Sequence, residues 1–230
     1  MKKKIVILGD SIVMPRPYMD EVEKTEYEDT YGYLLSQAFS DDVSVCFVGG
    51  LDTESALEGW NERYVAYKRP DIVIYHLGIN DCVQRVFRKN SRSIHLKPWF
   101  RKLTRNFGIR LVNRYRRFFI RLVGKKNQYV KPDAFRKNLE LLRGQVRTFS
   151  DNCRFIAIGI CEKPEWQEHR SPGDNQLIKQ YNAILQEEFG TAFVDPNRFG
   201  KANDILISDG IHFSRQTHER VAEELKRLLD

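Results

Sequence analysis

The chain has 230 residues, of which 41% are hydrophobic, and a formal net charge of +7. This hydrophobic fraction is too high for a disordered chain, and the length suits one domain with a sizeable core. No apolar run approaches the roughly 20 residues that a membrane-spanning helix needs, which argues against an integral membrane protein.

Five short apolar runs, rich in β-branched residues, predict buried strands. The first, Lys4–Leu8, follows basic residues but ends at Asp10, too soon for the roughly 7–15-residue core of a secretion signal. The other four are Val43–Val48, Asp71–Leu77, Arg154–Ile160 and Ala192–Asp195. Continuous apolar runs of this length are typical of strands that are covered on both faces.

Helical periodicity separates these runs. It predicts helices near Tyr31–Phe39, Glu54–Lys68, Pro132–Phe149, Asn175–Phe189 and Arg215–Leu229. Strands that alternate with helices predict a parallel sheet with helices on both faces, an α/β fold. Because no repeat or flexible linker interrupts the pattern, we expect residues 1–230 to form a single domain.

The cysteines Cys46, Cys82, Cys153 and Cys161 are scattered, without paired CxxC spacing. This argues against a disulfide framework or a thiolate zinc site and favours a reducing compartment. We therefore expect a cytoplasmic protein.

Polar residues follow the predicted strands. Gly9-Asp10-Ser11 follows the first, Gly49-Gly50 the second, Gly78-Ile79-Asn80-Asp81 the third, and Ser208–His212 precedes the last helix. Ligands of open α/β sheets bind beyond the carboxyl ends of the strands, so these segments are expected to meet at one edge.

Together these residues have the chemistry of nucleophilic catalysis. A serine needs a base to take its proton and an acid to orient that base, and Asp209 and His212 are three residues apart. The tetrahedral intermediate of acyl transfer also needs hydrogen-bond donors, which the N–H of Ser11, an N–H of Gly49 or Gly50, and the Asn80 amide could supply.

The four blocks GDS, Gly, GxND and DxxH, in this order, resemble those of the SGNH (GDSL-type) hydrolase family. The resemblance covers the whole chain apart from a basic segment. It implies a three-layer α/β/α, flavodoxin-like fold with a central, mainly parallel five-stranded sheet. It also implies Ser11 as nucleophile, Asp209 as acid and His212 as base.

The resemblance further implies an oxyanion hole formed by Ser11, a glycine of the second block and Asn80. Two residues separate Gly50 from Thr53, where the family usually has one, so Gly49 stays an alternative to the favoured Gly50. Asp10, Gly49 and Asp81 are predicted to contact substrate. Each block has an ordinary structural alternative, such as a helix cap or a turn.

The sequence indicates no cofactor and no metal, since no histidines or carboxylates lie at ligand spacing on a shared helix face. Among the other histidines, His76 is predicted to lie in the core. His95, His169 and His218 are predicted to face solvent or the pocket rim.

Residues 84–127 contain 15 Lys and Arg but no Asp or Glu, whereas the remainder has 23 basic and 31 acidic residues. Apolar residues at helical spacing predict a cationic amphipathic helix, inserted after the third strand as a lid or docking element: Phe100, Leu103, Phe107, Leu111, Tyr115, Phe118 and Leu122. The candidate partners are an anionic membrane surface and an acidic glycan. Nucleic acid is disfavoured because no reader motif accompanies the charge. A lid or dimer contact without a ligand is the structural alternative.

The predicted function is a serine esterase that removes an acyl or acetyl group from a carbohydrate or lipid ester. The start GDS-x-x-x-P-R, Gly9–Arg16, resembles SGNH proteins of bacterial surface-polysaccharide synthesis, which favours carbohydrate. An O-acyltransferase would use the same residues, and a non-catalytic glycan- or membrane-binding module is the alternative from another class. We expect the protein in the cytoplasm, either free or peripheral to the inner membrane face.

Overall fold

Five parallel strands form the sheet at the centre of the fold. The computed structural model describes residues 2–39, 42–87, 89, 114–123 and 127–230. The strands are β1 (Lys4–Gly9), β2 (Asp42–Phe47), β3 (Ile72–His76), β4 (Arg154–Ile158) and β5 (Phe193–Val194). Their order is β2-β1-β3-β4-β5, and every pairing is parallel. The predicted α/β fold with a five-stranded parallel sheet is confirmed.

Helices cover both faces of this sheet. The long ones are α1 (Tyr31–Ala38), α2 (Arg116–Val123), α3 (Pro132–Arg147), α4 (Asp174–Phe189) and α5 (Arg215–Leu229). Alternate β1 residues separate two buried clusters, since Ile5 and Ile7 pack with α1 and α5, whereas Val6 and Leu8 pack with α3 and α4. The period-two alternation of side chains along a strand thus supplies both layers with core residues.

The register of the central strands determines which residues meet at the carboxyl edge. Gly9 lies opposite both Phe47 of β2 and His76 of β3. The segments that follow these strands therefore emerge side by side. They carry the GDS, glycine and GxND blocks.

The helix predicted over Glu54–Lys68 is wrong as a single element. The chain forms the short pieces Thr53–Ser55, Ala56–Trp60, Asn61–Tyr64 and Ala66–Lys68. Gly59 has φ of 146° inside the wide turn Ala56–Trp60, a conformation that interrupts a regular helix. An isolated glycine in a helical pattern was the signal for this break.

The basic segment 84–127 is described only in part. Most of its predicted helix, including Phe100, Leu103, Phe107 and Leu111, lies outside the described residues, as does His95. In α2, Ile120 is buried, whereas Phe118 and Leu122 of the predicted apolar stripe are 63% and 64% exposed. The side chain of α2 that reaches the core is thus not one of the predicted stripe.

Within the described ranges, no helix combines the length and the apolar character that crossing a bilayer requires.

Candidate active site

Ser11 occupies a tight turn directly after β1. The Asp10 carboxylate caps this turn, Ser11–Val13, and its Oδ1 accepts the Ile12 N–H at 2.9 Å. A Cβ atom on Gly9 would lie 2.1 Å from Cγ2 of Val13, so the turn can fold this closely onto the strand end only with glycine there. The turn presents the Ser11 hydroxyl at the carboxyl edge of the sheet.

Asp209 and His212 belong to one loop before α5, which brings them to the same edge. Asp209 Oδ1 accepts the N–H groups of Ile211 at 2.8 Å and of His212 at 3.0 Å. Its Oδ2 lies 2.5 Å from His212 Nδ1, and His212 Nε2 lies 3.1 Å from Ser11 Oγ. The structure thus brings together the three residues that the sequence singled out as nucleophile, base and acid.

The electrostatics of this chain favour an ionised Asp209. Partial burial raises the pKa of Asp209, but the hydrogen bonds from the His212 side chain and backbone outweigh it, so the pKa lies below its usual range. An ionised carboxylate at Nδ1 keeps a proton on that nitrogen and leaves the Nε2 lone pair to face the serine.

Asn80 lies in the turn Ile79–Cys82 after β3 and makes contacts with three neighbours. Its Nδ2 donates to Asp10 Oδ2 at 2.9 Å and to the Leu51 carbonyl at 3.2 Å, and its Oδ1 accepts from Arg85 Nη2 at 3.0 Å. This set of donors and acceptors defines which way the amide points. Both amide hydrogens are engaged, so an oxyanion would have to displace the longer bond, to Leu51.

Gly49 and Gly50 form the exposed turn that follows β2. Gly50 has φ of 78°, in the left-handed region that glycine adopts readily. A Cβ atom on either residue would have no atom of the described residues within 4 Å. The backbone N–H of Gly49 or Gly50 stays the predicted third oxyanion donor.

Asp10 and Asp81, which are predicted to contact substrate, are both fully buried. Asp81 Oδ1 accepts the N–H and the hydroxyl of Thr53 at 2.9 Å and 2.5 Å, and thereby ties the second block to the third. Burial raises the pKa of Asp10 and of Asp81 to about 7. These carboxyls hold the loops of the site in place beneath the surface.

Two arginines of the site were missed by the sequence reasoning. Arg16 Nη2 donates to the Ser11 carbonyl at 3.0 Å and also contacts His212 Nε2. Arg85 donates to Asn80, as described above. The only sequence signal was the position of Arg16 in the motif GDS-x-x-x-P-R and of Arg85 four residues after GxND.

The other described histidines, His76, His169 and His218, take no part in the Asp209–His212–Ser11 contact. His76 is buried, as predicted, and its Nδ1 is hydrogen-bonded to the Tyr31 hydroxyl at 3.0 Å. The prediction that His218 faces solvent or the pocket rim is wrong, since it is 1% exposed and stacks on Tyr31. His169 is exposed. In the described part of the chain, no three metal-binding side chains come together.

Comparison with known proteins gives the chain its relatives. A model of the GDSL-like lipase/acylhydrolase family matches residues 7–220. Among solved structures, a lipase/acylhydrolase from Enterococcus faecalis is similar with a TM-score of 0.61 and 18% identity, over 99% of this chain and 95% of that one. The structure of TesA gives 0.60 and 16% identity, over 99% and 98%. A catalytic mutant of an acetylxylan esterase from Geobacillus stearothermophilus gives 0.59 and 18%, over 98% and 93%.

No curated protein sequence matches this chain. At identities this low the structural likeness establishes the fold only. The family model, in contrast, extends over most of the chain, from within β1 into α5, and includes all four sequence blocks. The chain belongs to the GDSL-like lipase/acylhydrolase family and is an ester-hydrolysing serine hydrolase.

Proposed function

We propose that the protein removes an acyl or acetyl group from a carbohydrate ester through an acyl-serine intermediate. Ser11 Oγ attacks the ester carbonyl while His212 Nε2 takes the hydroxyl proton. Collapse of the tetrahedral intermediate releases the alcohol, which receives that proton from His212. Water then attacks the acyl-serine with the same base, which frees the acid and restores Ser11.

The observation that carries this proposal is the continuous contact Asp209–His212–Ser11. Its two links measure 2.5 Å and 3.1 Å, within the range in which a base can take a proton from a nucleophile. The residues come from loops 201 positions apart in the chain, so their alignment depends on the whole fold.

The oxyanion would lie on the Asn80 side of Ser11. Asn80 Nδ2 is held by Asp10 and Leu51, and the N–H groups of Ser11 and of Gly50 or Gly49 complete the proposed set of donors. Such donors stabilise the negative charge that develops on the carbonyl oxygen. The substrate oxygen then replaces the hydrogen bond between Asn80 and Leu51, and the Asn80 side chain is already ordered before substrate binds.

Two similarities support the proposal of acetylated carbohydrate as the substrate class. An acetylxylan esterase is among the structural neighbours, and the GDS-x-x-x-P-R start resembles proteins of polysaccharide synthesis.

The test compares wild type with Ser11→Ala. Wild type should react with a fluorophosphonate probe at one serine and should hydrolyse acetyl esters of sugars faster than longer-chain lipid esters. Ser11→Ala should lose both reactions, and its circular dichroism should stay that of wild type. A Ser11→Ala protein that still hydrolyses esters would overturn the assignment of the nucleophile.

Adding an acceptor sugar to the same assay separates hydrolysis from acyl transfer. Free acetate as the main product supports the esterase. Acetylated acceptor as the main product would mean that a sugar hydroxyl replaces water in the second step.

A further inference from the structure

Arg16 is held in place by its backbone and directs its guanidinium at the catalytic base. Its N–H donates to the Thr25 carbonyl at 2.8 Å and lies 2.9 Å from the Thr25 hydroxyl, and Thr25 itself is buried. The guanidinium bonds to the Ser11 carbonyl at 3.0 Å and touches His212 Nε2. This contact joins residues 196 positions apart, so it belongs to the assembled site.

Arg16 attracts the buried Asp10 carboxyl but forms no ion pair in the described part of the chain. Arg136, Arg143, Arg215 and Arg227 all form ion pairs, whereas Arg16 forms none there, and its Nε is buried without a hydrogen-bond partner in the described structure. Residues 84–127, which include most of the undescribed positions, contain no Asp or Glu. The nearby Asp10 is already bonded to Ile12 and Asn80.

Arg85 places a second guanidinium against Asn80, the proposed oxyanion donor. It bonds to Asn80 Oδ1 and lies over the Tyr129 ring at 4.9 Å, and its Nε is also buried without a partner among the described residues. Arg85 thus contacts the proposed oxyanion donor, whereas Arg16 contacts the base. Neither arginine forms an ion pair in the described structure.

We propose that Arg16 selects esters whose alcohol part carries a carboxylate or a phosphate, and that such an anion draws the guanidinium away from His212. The inference rests on the proposed function. His212 returns its proton to the leaving alcohol, so a group in contact with Nε2 lies beside the alcohol part of the substrate, not the acyl part. A guanidinium matches the two oxygens of either anion with paired hydrogen bonds.

The same contact makes binding of the anion favour catalysis. While Arg16 donates to Nε2, the lone pair of that nitrogen is shared between an arginine N–H and the Ser11 hydroxyl. An anion that takes over the guanidinium leaves the lone pair to Ser11. The charged ester is therefore expected to have a higher kcat as well as a lower KM, since part of its binding energy is used to prepare the base.

The experiment uses matched acetylated sugars and the wild-type protein. Acetylated methyl glucoside is neutral, acetylated methyl glucuronide carries a carboxylate, and acetylated methyl glucoside 6-phosphate carries a phosphate. We expect wild type to prefer one of the anionic esters by about 10- to 100-fold in kcat/KM, the effect of a charge-assisted hydrogen-bond pair. Which anion is preferred identifies its source.

In Arg16→Gln the ratio of anionic to neutral turnover should fall close to one. Arg16→Lys should keep part of it, because an ammonium is a cation without the planar fork. Arg154→Gln is the control, since Arg154 is exposed at the start of β4, the opposite edge of the sheet, and this variant should keep the wild-type ratio.

The inference would be overturned if wild type showed no anion preference, or if Arg16→Gln kept the wild-type preference. Hemisuccinyl and butyryl esters test where the charge must lie. A preference that requires the charge on the acyl part would also overturn the inference. If wild type cleaves no ester at all, the proposed function fails separately. Calorimetry with unacetylated methyl glucuronide and methyl glucoside then decides, because tighter anion binding that Arg16→Gln loses supports the site, and equal binding overturns it.

Discussion

The hydrogen bond between Asp209 and His212 determines which ring nitrogen holds the proton. Asp209 Oδ2 accepts from Nδ1, and Oδ1 is held by the N–H groups of Ile211 and His212. In Asp209→Asn, Oδ1 can keep its two backbone donors, but an amide N–H then faces Nδ1. The imidazole must place its proton on Nε2, towards Ser11, where it cannot act as base. We expect kcat to fall about 10³- to 10⁴-fold, with a small change in KM, in steady-state ester hydrolysis.

Asp204→Asn is a matched control for this substitution. Asp204 also accepts a backbone N–H near the start of a short helix, Ala202–Ile205, but it does not touch the site. It should keep wild-type kcat. Equal losses in both variants would mean that loop stability, not the tautomer of His212, determines the rate.

Asn80 is expected to contribute to the transition state more than to substrate binding. Its proposed role is to stabilise an oxygen that becomes fully charged only after Ser11 attacks. Asn80→Ala should therefore lower kcat about 10²- to 10³-fold while KM changes little. An effect confined to KM would instead make Asn80 a ground-state binding residue.

Sequence reasoning singled out Asn80 and the three residues of the Asp209–His212–Ser11 contact, but not the arginines beside them. Ser11, Asn80, Asp209 and His212 stand in motifs at strand ends, where a one-dimensional pattern carries their position. Arg16 reaches His212 through a side chain that crosses the site, which no periodicity encodes. His218 was detectable, since it lies one turn before the buried Val221 and Ala222 on α5.

At the scale of elements, the β1 turn depends on a glycine. A Cβ at position 9 would lie 2.1 Å from Val13 Cγ2 and 3.3 Å from the His76 carbonyl oxygen, and Val13 is buried. Gly9→Ala must therefore move the turn that carries Ser11. We expect a loss of about 1–3 kcal/mol in the free energy of unfolding, measured with urea, together with a fall in kcat.

Gly144 in α3 offers the opposite case. A Cβ there would meet no atom within 4 Å, and the residue has ordinary helical geometry. Gly144→Ala should raise the free energy of unfolding by about 0.5–1 kcal/mol, because alanine favours the helix. If both variants lose stability equally, the steric account of Gly9 is wrong.

The strands and most helices were predictable because their apolar residues follow one period over the whole element. The region after β2 was not, since Glu54–Lys68 has a helical pattern but Gly59 adopts φ of 146° within it. In α2 the short basic sequence gave no means to tell the buried Ile120 from the exposed Phe118 and Leu122. Which side of a helix is buried depends there on tertiary contacts with the helix Glu165–Arg170.

At the scale of the whole molecule, four buried titratable groups affect stability in opposite directions. Asp10 and Asp81 have pKa values raised to about 7 from 3.8, chiefly by burial. His76 and His218 have pKa values lowered to about 3 from 6.5, again chiefly by burial. Between pH 4 and 6.5 the folded state holds protons on the two acids and the unfolded state on the two histidines. The two contributions to the pH dependence of stability therefore cancel in this range.

Replacing one acid should remove this balance. The contribution of Asp81 to the free energy of unfolding is fully present below pH 3.8 and is lost as pH rises towards 7. Asp81→Asn removes this pH-dependent contribution. Relative to wild type, the unfolding free energy of Asp81→Asn should rise by about 1.4 kcal/mol per pH unit between pH 4.5 and 6. Urea unfolding at several pH values measures this slope, and parallel curves would show that Asp81 is ionised throughout in the folded protein.

The distance along the chain between Ser11 and His212 has a consequence for synthesis of the protein. At about 5–20 residues per second, a ribosome needs about 10–40 s to reach the base after making the nucleophile. Throughout this interval the nascent chain carries Ser11 without its base, His212. The incomplete chain is therefore not expected to hydrolyse esters near the ribosome. A chain arrested before Asp209 should not react with a fluorophosphonate. We expect hydrolytic activity to begin only after the loop of Asp209 and His212 is complete and α5 has packed beside α1.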